Sequence, residues 1–165
     1  MSRTLSPLFV ALLAVAFTAA EFSFGANVSR IVPAKEEKLS YQRIYTADFL
    51  KNHPLQMVTK ASLTLRNTKG LLTATWGTTI RNIRSDEKTD LSATGICKVH
   101  GAKKIECSFD ASAGNVNLTA QAGGLSISIP PGQGVYFSRV KDGVTQSENL
   151  LGDDDDNNSF RLTSK

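Results

Sequence analysis

The chain has 165 residues, with 19 Lys and Arg against 15 Asp and Glu, and a formal net charge of +4. That length suits a single domain able to bury a core without staples. The mild positive balance excludes the dense cationic face of a nucleic-acid binder.

In chain order, Met1-Ser2-Arg3 places one positive charge ahead of an apolar run from Leu5 to Phe17, interrupted only by Ser6 and Pro7. Thr18-Ala19-Ala20 then supplies small residues. A basic start, a short apolar stretch and small residues form a secretory signal peptide. The run is shorter than the roughly 20 apolar residues of a membrane-spanning helix. Cleavage is expected after Ala20, with Ala26 as the second choice, and the mature protein is expected to be periplasmic or secreted with no membrane span. Arg3 is the only charge removed, so 18 basic side chains remain against 15 acidic ones. Residues 153–165 hold four Asp against Arg161 and Lys165, which leaves the body of the domain basic and its last stretch acidic.

Residues 21–40 have no steady period and mix Gly, Pro, Ser and charge. They read as a flexible lead, with one docked segment around Val28 to Val32. The single β-rich domain is expected over 41–165. One short helix is expected near 46–52. Thr46 can cap it by accepting a free N–H of the first turn, Tyr45 and Leu50 can staple it, and Pro54 ends it by disfavouring helical geometry at His53.

Beyond the helix the apolar period is two. Met57, Ala61, Leu63 and Leu65 share one strand face. Leu72, Ala74, Trp76, Thr78 and Ile80 follow, then Leu91, Ala93, Gly95, Cys97 and Val99, then Ile105, Cys107 and Phe109. Val116, Leu118 and Ala120; Leu125, Ile127 and Ile129; Val135 and Phe137; and Phe160 and Leu162 repeat the pattern. Short separators such as Gly123-Gly124 and Pro130-Pro131-Gly132 are turns. The fold class is therefore all-β in the main, an antiparallel meander of about seven or eight strands closing as a small barrel or a sandwich. Trp76 faces inward, either as core or as the lining of an internal ligand cavity.

Cys97 and Cys107 are the only cysteines. A hairpin turning about Ala102 sets Val99 opposite Ile105 and Cys97 opposite Cys107, and an oxidising compartment then favours a disulfide. Two chemical alternatives use the same residues. Cys97, His100 and Cys107 offer three soft ligands where a structural zinc site takes four, and a Cys–His nucleophile would need a free thiolate. Lys98, His100, Lys103 and Lys104 make this hairpin a basic patch, suited to an anionic envelope polymer or a protein partner, or serving only to keep the turn wet.

Asp153, Asp155 and Asn157 have the alternate-oxygen spacing that opens a calcium loop. The match fails at Asn158, where Gly is needed, and at Ser164, where a bidentate Glu is needed. The segment 153–158 reads as a solvated acidic loop, with calcium as the weaker alternative and no other metal site. His53 and His100, the only histidines, sit beside turns. There is no nucleophile elbow and no zinc-protease motif, so no catalytic residue and no cofactor is expected.

Three stretches together resemble an uncharacterised family of small exported proteobacterial proteins. They are Tyr45 to Thr59 (YTADFLKNHPLQMVT), the Cys97–Cys107 hairpin, and the Asp-rich run into Phe160-Arg161-Leu162. The resemblance implies an envelope address and brings no activity or site residue. The functional expectation is a non-enzymatic envelope domain with a binding or structural role, its partner an envelope protein or a small ligand and not a nucleic acid. The alternative is a small periplasmic hydrolase inhibitor or a ligand-carrying β-barrel.

Overall fold

The computed structural model describes residues 27–82, 84, 87–109, 114–152 and 158–165. The expected signal peptide, its cleavage points, and Asp153, Asp155 and Asn157 of the weak calcium candidate lie outside the described residues. The strands are β1 (Lys38–Ile44), β2 (Val58–Thr68), β3 (Leu71–Arg81), β4 (Lys88–His100), β5 (Lys104–Phe109), β6 (Asn115–Gln121), β7 (Gly124–Ser128), β8 (Gly134–Lys141), β9 (Val144–Leu151) and β10 (Ser159–Ser164). One helix, α1, spans Ala47–Asn52, and a 3-10 turn spans Val28–Arg30.

Eight strands close an antiparallel barrel in the order β3-β2-β1-β10-β7-β6-β5-β4, with β4 returning to β3. The β8–β9 hairpin is added beside β4. Closure answers the choice between barrel and sandwich: pairing β10 between β1 and β7 joins the sheet into a ring. β5 pairs with β4 only over Gly95–His100, and β8 meets β4 at Ser92↔Ser138. The hairpin thus occupies the half of β4 that β5 does not reach.

The alternating residues build the core. Leu63, Trp76, Phe109, Leu118, Ile127, Phe137 and Phe160 are all fully buried. Eight strands enclose an interior that side chains can just fill. Trp76 fills its centre, edge-on to Phe137 at 4.9 Å, Phe160 at 5.3 Å and Phe109 at 6.0 Å between ring centroids. Gly95 makes room for one of these rings: a Cβ there would lie 3.0 Å from the Phe109 ring.

Two expectations are corrected. The lead 21–40 ends sooner than expected, while its segment around Val28 to Val32 docks as expected. Val28 and Ile31 are buried, the Val28 N–H donates to the Ala102 carbonyl at 3.0 Å, and β1 already begins at Lys38. These side chains close one end of the barrel, and the alternation of β1 was masked by Arg43, which shares a face with Leu39 and Tyr41, and by Ile44, which is exposed on the other face. Met57 is not the inward residue at the start of β2. The register shifts between Val58 and Lys60, a bulge that turns Val58 into the core and leaves Met57 half-buried.

Helix α1 forms at the other end. Phe49 N–H donates to Thr46 Oγ1 at 3.2 Å, the expected cap. Tyr45 rests on Phe49, with ring centroids 5.0 Å apart, and His53 stacks on the same ring at 4.1 Å.

Candidate functional site

The hairpin β4–β5 has the register read from the sequence: Cys97↔Cys107, Val99↔Ile105 and His100↔Lys104, around a turn at Gly101–Lys103. Cys97 and Cys107 form a disulfide with a Cα–Cα separation of 4.0 Å, and both are buried. Each sulfur is held by the other, so neither is a thiolate for metal or for attack on a substrate. His100 lies exposed at the end of the strand, three pairs beyond the bond.

The basic patch is brought together only in part. Lys98 and His100 are exposed on β4, and Lys103 is exposed in the turn. Lys104 is committed to Glu106, with Nζ 3.2 Å from Oε2. Glu106 also stands opposite Lys98 in the register and accepts from Asn115 Nδ2 at 3.1 Å. A carboxylate therefore sits within the four basic groups and dilutes their field. The sequence spacing did not reveal this, because cross-strand neighbours are set by register.

A large cavity lies outside the barrel, between the β8–β9 hairpin and the barrel end that carries α1. It has a volume of about 800 Å³, with Met57, Ile80 and Leu91 as its apolar floor. Gln146 and Glu148 of β9 overhang it, and Arg84 and Glu87 lie on the barrel side. The inner face of the hairpin explains the overhang. Val135, Phe137 and Leu150 are buried against the barrel, and the same face continues as Arg139, Gln146 and Glu148 past the point where the barrel ends. Arg139 Nε donates to Gln146 Oε1 at 2.6 Å.

Arg81 also borders the cleft but acts as a strut. Its Nε donates to the Gln56 carbonyl at 3.0 Å and its Nη2 to the Pro54 carbonyl at 3.2 Å, which ties the segment after α1 to β3. No family model matches this chain, and no curated protein or solved structure is found similar to it. Among the described residues, no three His, Cys, Asp or Glu side chains cluster as a metal site would require. Chemically, the cleft presents an apolar floor and a rim of both charges, which suits recognition of a polypeptide surface.

Sequence reasoning missed this cleft. β9 (VTQSENLL) buries only Leu150, so it carries no alternation to mark a strand. The Asp142-Gly143 turn was the available signal, since both residues have positive φ, 52° and 76°, as a two-residue hairpin turn requires.

Proposed function

We propose that this chain is an exported, non-enzymatic envelope domain that binds a partner at its outer surface, with the cleft under the β8–β9 hairpin as the contact site. The observation that carries this reading is the contrast between a barrel interior filled by Trp76, Phe109, Phe137 and Phe160 and a cleft of about 800 Å³ outside it. A ligand carrier needs an enclosed cavity, and this interior is occupied by the protein's own rings. The disulfide supports an oxidising address, and none of the described helices is long and apolar enough to cross a membrane.

The hydrolase-inhibitor reading is the case in which the partner is an enzyme. It is favoured by the hairpin tip, where Val140 and Val144 are 74% and 61% exposed, an apolar point on an otherwise polar arm.

Immobilised mature protein exposed to envelope extract should retain a partner that Gln146→Trp, which fills the cleft, releases. Retention unaffected by Gln146→Trp would move the contact elsewhere, and co-purification of a small apolar ligand in place of a partner would overturn the reading. A captured hydrolase that loses activity in the complex would select the inhibitor case.

A further inference from the structure

The barrel wall has one short seam. β1 pairs with β2 from Lys38 to Ile44, and β10 pairs with β7 from Ser159 to Thr163. Facing each other, β1 and β10 pair only at Tyr41↔Ser164 and Gln42↔Thr163. Past that point the ladder stops, and a groove of about 430 Å³ opens, lined by Gln42, Arg43, Ile44, Arg161, Thr163 and Lys165 among others.

Backbone direction in the groove follows from the bonds that flank it. Ser40 and Gln42 turn their carbonyls toward β10, accepting from Lys165 N–H at 3.1 Å and Thr163 Oγ1 at 3.2 Å. Strand residues alternate in the side to which their peptide groups point. Ile44 therefore presents its N–H and C=O to the groove from β1, and Arg161 does so from β10.

The side chains add charge of one sign. Among the described residues, Arg43, Arg161 and Lys165 line the groove without any Asp or Glu side chain, and Lys60 stands beside Ile44 on β2. Among the described residues, the guanidinium groups of Arg43 and Arg161 have no hydrogen-bond or ion-pair partner. Arg43 is nevertheless held in place, 4.6 Å above the Tyr45 ring and 5.5 Å from that of Phe49, which leaves its N–H edges for a ligand. Ile44, 64% exposed, lies between the cations.

We propose that this groove is a docking site for an extended peptide segment bearing carboxylates, which pairs its backbone with Ile44 and Arg161 and its carboxylates with Arg43, Arg161 and Lys165. Two facing strand edges in a slot suit a single added strand, and the uniform cationic lining selects an acidic one. The site is separate from the cleft under the hairpin. Failure of the peptide to bind would leave the cleft reading standing, and failure of the envelope capture would not touch this result.

The test uses the mature protein and a labelled peptide of alternating glutamate and valine, with an alternating lysine and valine peptide and inorganic phosphate as controls. Binding of the glutamate peptide should be saturable, should weaken with salt and should shift the amide resonances of Ile44 and Arg161. Arg161→Gln should weaken it about tenfold, the loss of one charge-assisted hydrogen bond, with circular dichroism checking that the fold persists. If that variant does not fold, Lys165→Gln serves as the second, with weakening in the same direction. Equal binding of the lysine peptide, absence of binding, or affinity unchanged in the folded variant would overturn the proposal. Displacement of the peptide by phosphate at equal concentration would overturn it too, since the groove would then be a general anion site.

Discussion

Trp76 is the residue on which the interior turns. It is fully buried, three phenylalanine rings surround it, and among the described residues its Nε1–H has no acceptor. An indole N–H without a partner costs free energy in an apolar site, so packing must supply its stability. Trp76→Phe gives up volume and also removes the unpaired N–H, and Trp76→Ala leaves a cavity. The alanine variant should lose about 3–5 kcal/mol and the phenylalanine variant clearly less, as measured by chemical denaturation. Equal losses would show that the indole is not closely packed.

Two tyrosines give the fold an alkaline limit. Burial raises the pKa of Tyr41 above its ordinary 10.0. Burial also raises that of Tyr45, with Arg43 pulling in the opposite direction. A raised folded value means that the unfolded chain loses its proton first. Stability from these groups is therefore fully present below pH 10 and falls as pH rises through the folded values. Denaturation midpoints should hold to about pH 10 and then drop, and Tyr41→Phe should flatten the decline.

At the scale of elements, the β4–β5 hairpin and its disulfide should contribute most per residue. The bond closes a loop with a sequence separation of 10, for which the chain-entropy model gives roughly 2–3 kcal/mol. Cys97→Ser with Cys107→Ser should lower unfolding free energy by about that amount while leaving the strand-dominated circular dichroism intact. Free thiols in protein purified without reductant would contradict the bond.

The β8–β9 hairpin is the opposite case. It meets β4 at a single register pair, and β9 has only β8 beside it. Amides of β9 should exchange with solvent well before those of β3, which is paired on both sides.

These two hairpins also mark how far the sequence could be read. Cys97, Val99, Ile105 and Cys107 alternate about a short turn, so local pattern fixed both register and bond. The strands from Leu72 to Phe109 and from Val116 to Ile129 were legible for the same reason, since one face of each is buried and the other wet. β9 was not, because its backbone pairing stands almost without burial. The bulge at Val58–Lys60 reversed the face assigned to Met57, since one extra residue breaks a period of two. The cleft and the seam were invisible for a further reason: each joins strands distant in sequence, Ile80 with Gln146 and Ile44 with Arg161, through closure of the barrel. Of the candidate site residues, the cysteine pair was legible outright. The basic patch was legible as composition, without the Glu106 that tempers it.

At the scale of the whole molecule, the account rests on a barrel that is closed and full. Val28 and Ile31 close one end, α1 and the segment tied by Arg81 lie at the other, and four large aromatic residues occupy the space between. Such a molecule leaves its rim, its hairpin and its seam as the surfaces for the contacts proposed above. Trp76, the single tryptophan, reports on the interior directly. The most direct measurement is its fluorescence during titration of the mature protein with a series of apolar ligands, from small aromatic compounds to long-chain fatty acids. The account predicts a blue-shifted emission typical of a dry site and no saturable change in its position or intensity. A saturable quench or shift, competed by a second apolar ligand, would show that the interior opens to a guest and would contradict it.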